Sequence, residues 1–347
     1  MQKIPYDITF HPSWWHKNAG ISFGRPFFED AGVRLQSDVK MRRTLYEHFG
    51  EFGLGEKDPA PRPILGSDML ACGYLHSELL GCPVQYSDGD SPQVQSLQMT
   101  LEDAEKLELP RLSEHPLWQN QLRQMEALYE QFGAVIPSVN LMGIQNIAFD
   151  LLGAELYTAY YEEPDIIHGL LEKITDMSIE IGLAFQRYSR AISAGVTGIV
   201  SKTVPGQYLT SNCTVDLISR DFYEEFLLPC DNRLADALGD FGIHHCGGHM
   251  ERVAQGYAKV RDLCFAEVGY GSDIAQVRAA LPGVYLNLRY SPVKLGTATE
   301  SEMAAEITGM IEQSGNRLTS ISCVGIDSRV SDSQIKTFLK VCQDLQR

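Results

Sequence analysis

Short apolar runs alternate with longer amphipathic segments along the last two thirds of the chain. The runs have the length of buried strands, and they cover residues 134–139, 198–202, 241–245, 263–268, 284–288 and 318–324. Helical periodicity lies between them, over residues 164–191, 219–238, 300–313 and 331–346. In the last of these, apolar Ile335, Phe338, Leu339 and Cys342 recur on one helix face behind a capping Ser331. This alternation predicts parallel strands joined by crossover helices.

The predicted elements favour an α/β fold, a (β/α)8 TIM barrel, and leave a doubly wound sheet as the alternative. The first 110 residues differ because they are rich in proline, glycine and aromatic residues, and prolines between residues 57 and 63 interrupt any helix. We therefore predict one domain over residues 1–347. Residues 1–110 form an amino-terminal elaboration that caps the barrel, and residues 111–347 form the main barrel.

Charge and composition exclude several classes of partner. The 347 residues carry 45 acidic and 29 basic side chains, a formal charge of −16, which repels nucleic acid and anionic membrane surfaces. The sequence contains neither a signal-peptide pattern nor an apolar run long enough to span a membrane, so we expect a cytoplasmic protein. Its eight cysteines are expected to remain thiols, and a homodimer is the default expectation for a barrel enzyme.

A histidine and a cysteine two residues apart end the apolar run at residues 241–245. In a strand, the period of two places His244 and Cys246 on one face, where both can bind the same metal ion. Cys323 ends a later predicted strand just before a glycine, and the carboxyl ends of all barrel strands converge. Two thiolates and one imidazole leave an open position on tetrahedral zinc, which is typical of a catalytic site.

The pair alone is a weak signal, because free cysteines are commonly buried core residues. His245 is expected to point to the opposite face in a structural role, and His249 is a substitute ligand. The strand-end position of all three proposed ligands is what favours a metal site.

Several motifs in sequence order resemble one known family. The segment His244-His-Cys246-Gly with the distant Cys323-Val-Gly resembles the zinc pattern of corrinoid-dependent methyltransferases in the uroporphyrinogen decarboxylase superfamily. Three further segments are similar to motifs of the superfamily: residues 12–20 near the amino terminus, 222–229 before the central strand, and 287–295, which begin with Asn287. The resemblance implies a (β/α)8 barrel with its active site at the carboxyl ends of the strands.

The decarboxylase activity of this superfamily is disfavoured by the residues present. The family binds tetrapyrrole carboxylates with two arginines, and the matching positions here are Lys17 and Ile21. The family's late histidine is missing beside Cys323, and its catalytic aspartate corresponds at best to Asp68, at an unsuitable spacing.

The methyltransferase branch implies a coherent set of roles. Zinc on His244, Cys246 and Cys323 activates a thiol or polarises a methyl ether oxygen. Glu267, at the end of the next strand, is expected to cap the metal when substrate is absent. The corrinoid is expected to be supplied by a separate corrinoid protein, because the chain lacks the Asp-x-His-x-x-Gly segment that binds it.

Three residues are predicted to contact a small-molecule methyl donor or thiol acceptor: Trp14, Lys202 and Asn287. Packing at the barrel end is the alternative role for Trp14, and a surface position is the alternative for Lys202. Two other functions remain open at this point: a metal-independent decarboxylase, and a noncatalytic zinc or corrinoid-binding protein with a closed metal site.

Overall fold

A computed structural model describes residues 4–189, 203–204, 206–315 and 317–345. The strands are β1 (Tyr6–Phe10), β2 (Ile64–Gly66), β3 (Val84–Ser87), β4 (Asp90–Val94), β5 (Ile136–Ser138), β6 (Leu141–Met142), β7 (Tyr208–Ser211), β8 (Phe241–His245), β9 (Leu263–Val268), β10 (Tyr285–Tyr290) and β11 (Thr319–Ile326). The helices of the first half are α1 (Pro12–Ala19), α2 (Arg25–Glu29), α3 (Ala31–Phe49), α4 (Leu75–Leu79), α5 (Leu101–Glu105), α6 (Pro116–Phe132), α7 (Ile144–Leu152), α8 (Glu155–Glu162) and α9 (Pro164–Gln186). Those of the second half are α10 (Arg220–Phe222), α11 (Leu228–Leu238), α12 (Ala254–Tyr257), α13 (Ile274–Ala280), α14 (Pro292–Leu295), α15 (Glu300–Gln313) and α16 (Asp332–Asp344).

Seven of the strands form one parallel sheet in the order β1-β11-β10-β9-β8-β7-β6. The first strand therefore lies beside the last, with Ile8 opposite Cys323. A doubly wound sheet places its first strand in the middle, so this order excludes that alternative. β2 pairs in parallel with β5, which is separated from β6 by only two residues. Counting β5 and β6 as one interrupted strand gives eight parallel strands.

The predicted closed barrel is shown only in part. Among the described residues, β1 and β2 have no recorded pairing, and that pairing is the one that would close the barrel. The observed architecture is a mixed α/β fold with a seven-stranded parallel sheet. The strands β3 and β4 form a separate antiparallel hairpin.

The strongest sequence patterns located their elements correctly. Strands β8 and β9 and helix α15 have the predicted boundaries, and β5, β10 and β11 overlap the predicted runs. The predicted strand at 198–202 lies outside the described residues. β1 and β2 belong to the region predicted to cap the barrel, yet β1 is part of the main sheet.

Helix ends follow the local capping chemistry. Asp30 accepts a hydrogen bond from the backbone of Val33 at the start of α3, and Ser331 caps α16 as predicted. Thr299 and Glu302 form a reciprocal capping box at α15. These contacts satisfy backbone N–H groups that have no partner within the helix.

The core lies on both faces of the sheet. The larger cluster contains most buried apolar side chains, including Phe10, Trp14 and Phe338, and a small second cluster joins Leu209, Phe265 and Val324. None of the described helices has the length and apolarity needed to cross a membrane.

Candidate metal centre

One face of the sheet, which we call the site face, carries polar side chains near the carboxyl ends of its strands. Register aligns His244 of β8 with Glu267 of β9, and Glu267 with Asn287 of β10. Asn287 is aligned with Ser320 of β11. Paired residues in a parallel sheet point the same way, so these four side chains form a row across four strands.

Three potential metal ligands meet at the carboxyl ends of β7 and β8. The ligand atoms of Cys213, His244 and Cys246 all lie within 4.8 Å of one another. His244 is buried, Cys213 is half-buried and Cys246 is exposed. The group therefore lies at the boundary between the core and the solvent, where a small molecule can reach it.

Cys213 was not among the predicted ligands, and its position is fixed by the segment around it. The backbone N–H of Asn212 donates to the carbonyl of His244 over 2.8 Å, which ties this segment to β8. Asn146 accepts hydrogen bonds from the backbone N–H and the hydroxyl of Thr214, and its amide donates to the carbonyl of Ser211. Cys213 is thus held on both sides by neighbouring residues.

A buried carboxylate supports the same segment from behind. Asp231 of α11 accepts hydrogen bonds from the Asn212 amide at 3.0 Å and from the Tyr223 hydroxyl at 2.7 Å. Burial raises the pKa of Asp231 to about 6, although both hydrogen bonds act to lower it. This anchor connects the position of Asn212 to the packing of the helix.

Two glycines allow the turn after Cys246 to lie close to its neighbours. A Cβ atom at Gly247 would lie 2.4 Å from the Cβ of Asp216, and one at Gly269 would lie 2.0 Å from the carbonyl oxygen of Gly247. A larger residue at Gly247 would push the turn away from Asp216, and one at Gly269 would push it away from the end of β9.

A hydrogen-bonded network supports His244. Its Nδ1 contacts Oε2 of Glu267, whose Oε1 accepts a 2.8 Å hydrogen bond from the Asn287 amide. The same amide donates to the Ser322 hydroxyl, and the Ser320 hydroxyl donates to Oδ1 of Asn287. Because Glu267 occupies Nδ1, the Nε2 atom of His244 remains for a metal, which is the usual carboxylate–histidine–metal arrangement.

The electrostatics of the group follow from these contacts. The hydrogen bond with Cys213, followed by contact with His244, lowers the pKa of Cys246 below that of an ordinary thiol. The same hydrogen bond raises the pKa of Cys213. Burial lowers the pKa of His244, but Glu267 and Cys246 together outweigh burial and raise that pKa to about 9. A metal ion bound here would displace these protons.

Cys323 does not join the group, which corrects the predicted ligand set. Ser320 and Ser322 of β11 point to the site face, where both contact Asn287. Because successive side chains in a strand point to opposite faces, Cys323 points to the other face of the sheet. There it is fully buried in the main core and interacts with Cys342 of α16. Burial raises its pKa to about 12, as expected of a structural thiol.

The structure places the other predicted site residues as follows. Glu267 lies behind His244 and outside the ligand group, and Asn287 is fully buried and donates a hydrogen bond to Glu267. Trp14 is buried in the amino-terminal aromatic cluster, stacked on Phe10 at 3.9 Å, and therefore does not line the centre. Lys202 lies outside the described residues.

Two further histidines lie near the centre without joining it. His245 points to the core and its Nδ1 contacts the Tyr257 hydroxyl at 2.9 Å, which agrees with the predicted structural role. His249 is exposed and lies 3.6 Å from Glu251. Neither belongs to the ligand group found among the described residues.

The donor set fits a zinc ion. Ligand atoms around tetrahedral zinc lie about 3.5–4 Å apart, given Zn–S bonds of about 2.3 Å, so the observed group needs little movement to close on the metal. Two sulfurs and one imidazole nitrogen are ligands that zinc prefers over magnesium or calcium. Three protein ligands would leave the fourth position of a tetrahedral zinc ion open.

Comparison with known proteins agrees with this architecture. No curated protein matches the chain significantly. Among solved structures, a methyltransferase from Methanosarcina mazei superimposes with a TM-score of 0.67 at 16% identity, covering 100% of this chain and 95% of that one. A B12-independent methionine synthase from a Shewanella species, in complex with selenomethionine, gives a TM-score of 0.49 at 10% identity, covering 99% and 96%. The first of these likenesses shows a shared fold.

The family assignment comes from the sequence. Residues 64–345 match the family model described as uroporphyrinogen decarboxylase (URO-D), which covers most of the chain and confirms the resemblance inferred from the motifs. The chain belongs to the uroporphyrinogen decarboxylase (URO-D) family.

Proposed function

We propose that the protein is a zinc-dependent methyltransferase that moves a methyl group between a small molecule and a corrinoid carried by a partner protein. The observation that supports this most directly is the Cys213, His244 and Cys246 group, with ligand atoms within 4.8 Å of one another beside solvent. Zinc bound there would act as a Lewis acid toward the heteroatom that gains or loses the methyl group.

The residues of the chain have separate roles in this proposal. Cys213, His244 and Cys246 would hold the metal, and the exposure of Cys246 would leave one side of it accessible to solvent. Glu267 orients the His244 ring and keeps its proton on Nδ1, while Asn287 orients Glu267. The exposed thiol of Cys246 marks the side from which a substrate enters.

The corrinoid partner and a closed eight-stranded barrel are part of this proposal. A partner protein that presents a corrinoid needs access to the carboxyl ends of the strands, where the metal group lies. A cytoplasmic location and a homodimer are likewise expectations that belong to the proposal.

A metal-independent decarboxylase is the weaker alternative. Asp68, its only candidate catalytic carboxylate, is held by Arg62 in a two-pronged ion pair with distances of 2.6 and 2.9 Å. Ile21 is buried, and Lys17 donates to the carbonyl of Ser328. These contacts leave no arginine pair for a tetrapyrrole at the matching positions.

The test is metal content in matched alanine variants of three cysteines, measured by inductively coupled plasma mass spectrometry on untagged protein. We expect about one zinc per chain in wild type, and less than about a tenth of that in Cys213→Ala and Cys246→Ala, since each removes one of three ligands. Cys323→Ala is the matched control and is expected to retain the metal.

Two outcomes would contradict the proposal. One is a folded wild-type protein that binds no zinc when dialysed against it. The other is loss of zinc in Cys323→Ala with zinc retained in Cys213→Ala. If zinc binds as expected, thiol-dependent demethylation of free methylcobalamin, followed by its visible spectrum, tests the reaction itself.

A further inference from the structure

Arg289 is a half-buried arginine whose guanidinium donates no hydrogen bond to the described residues. It makes no hydrogen bond or ion pair with any residue in the described part of the chain. The other buried or half-buried arginines in that part all donate hydrogen bonds; they are Arg34, Arg42, Arg62, Arg233 and Arg278. None of its nitrogens is among the fully buried unpaired polar atoms, so the guanidinium reaches solvent at the mouth of the site, where an anionic ligand can accept hydrogen bonds from it.

Its position is next to the metal group. Arg289 follows Asn287 by two residues on β10, so it shares the site face one step nearer the carboxyl ends of the strands. Only β9 separates β10 from the β8 strand that carries His244, which puts the two backbones about 10 Å apart. Arg289 also interacts electrostatically with Cys213, Cys246 and Glu267.

We propose that Arg289 binds an anionic group of the small-molecule substrate, at the other end from the heteroatom that takes the open metal position. This inference rests on the proposed function. A guanidinium offers paired donors that match the paired oxygens of a carboxylate, and sulfonate and phosphate share this chemistry. The substrate class is therefore a short thiol or methylated heteroatom compound with an anionic end.

A different role for Arg289 makes a different prediction. If the charge of Arg289 served only to balance the two thiolates, its removal would weaken the binding of every added thiol equally. If Arg289 binds an anionic group, its removal weakens the binding only of thiols that carry a negatively charged end. Two thiols of the same length, one charged and one neutral, separate these roles.

The experiment uses cobalt-substituted full-length protein titrated with 3-mercaptopropionate and with 3-mercaptopropionamide. Binding of a thiolate to cobalt changes the visible spectrum, so each titration gives a dissociation constant without any turnover. The variants are Arg289→Met, Arg289→Lys and, as control, Arg43→Met, which replaces an exposed arginine of α3. Substitution of Arg289 breaks no hydrogen bond or ion pair among the described residues, so its variants are expected to fold.

We expect the carboxylate-to-amide preference to fall by about tenfold or more in Arg289→Met, the usual size of a charge-assisted hydrogen bond. Arg289→Lys should retain part of the preference, and Arg43→Met all of it. Comparing ratios between variants cancels the difference in acidity of the two probe thiols. An unchanged ratio in Arg289→Met overturns the inference.

Different results would contradict the role of Arg289 and the proposed function. Protein that binds no cobalt, or cobalt protein whose spectrum responds to neither thiol, contradicts the open metal site and with it the role of Arg289. Cobalt protein that binds both thiols with the same affinity ratio in wild type and Arg289→Met contradicts the role of Arg289 alone.

Discussion

Two buried histidines, one in each half of the molecule, have opposite surroundings. His76 of α4 lies in the amino-terminal region, and neither of its ring nitrogens has a hydrogen-bonding partner within the described ranges. His244 of β8 contacts Glu267 and lies beside two thiols. Burial lowers the pKa of His76 to about 4, whereas Glu267 and Cys246 together overcome burial and raise the pKa of His244 to about 9.

The difference shows that burial alone does not prepare a histidine to bind a metal. Both side chains are removed from water, yet only His244 has a carboxylate that fixes its ring and its proton. The same contrast applies to the two regions as wholes. The amino-terminal region packs aromatic rings such as Trp14 against Phe10 and Phe49, while the site face buries a row of polar side chains that satisfy one another.

The largest expected effect tests whether the aromatic cluster has a purely structural role. Trp14→Ala should lower the free energy of unfolding by about 4 kcal/mol, because it leaves a cavity in a well-packed core. Urea denaturation measures this loss. Exposed Tyr161→Ala should cost less than about 1 kcal/mol. Zinc content should be unchanged in both variants, and loss of zinc from folded Trp14→Ala would place this cluster in the site after all.

The second prediction concerns the response of the unpaired histidine to acid. The pKa of His76 is lower in the folded state than the value of about 6.5 in the unfolded chain, so its contribution to stability is present above pH 6.5 and is lost as the pH falls toward 4. This difference in pKa corresponds to a loss of about 3 kcal/mol in the free energy of unfolding. Between pH 7 and pH 4, the free energy of unfolding of His76→Met, measured by urea denaturation, should therefore fall by about 3 kcal/mol less than that of wild type. Equal losses in the two proteins would show that His76 is solvated or paired.

The smallest effect tests the pairing of His244. Glu267→Gln keeps the shape of the side chain but weakens its hold on the imidazole, and it should lower zinc affinity about 10- to 100-fold, or about 1.4–2.7 kcal/mol. Competition with a chromophoric chelator measures the affinity. Exposed Glu312→Gln on α15 is the matched control and should bind zinc as wild type does. Unaltered zinc affinity in Glu267→Gln would show that the carboxylate partner of His244 does not contribute to metal binding.

The sequence predicted two of the three residues in the metal group for a sound physical reason. Spacing of two in a strand puts side chains on one face, and His244 and Cys246 do lie together. Cys213 gave no such signal, because it follows a four-residue strand and is brought to the group by side-chain contacts of Asn146 and Asp231 that only folding creates.

The error over Cys323 has a physical cause that the sequence does contain. Alternation in β11 runs Ser320, Ile321, Ser322 and Cys323, and the serines were not recognised as facing a polar interior. Had they been placed on the site face, Cys323 would have been assigned to the opposite one. Arg289 was missed because the absence of a hydrogen bond from it to the described residues is visible only in three dimensions.

Pairing of β1 with β11 gives the molecule an order of assembly. Ile8 leaves the ribosome long before its neighbour Cys323. Ser320, which completes the support of His244 through Asn287, is made equally late. A nascent chain therefore carries all three ligands well before the strand that stabilises them, and contacts so distant in sequence form slowly. Competence to hold a metal firmly should arise only after β11 has been synthesised and has paired with β10.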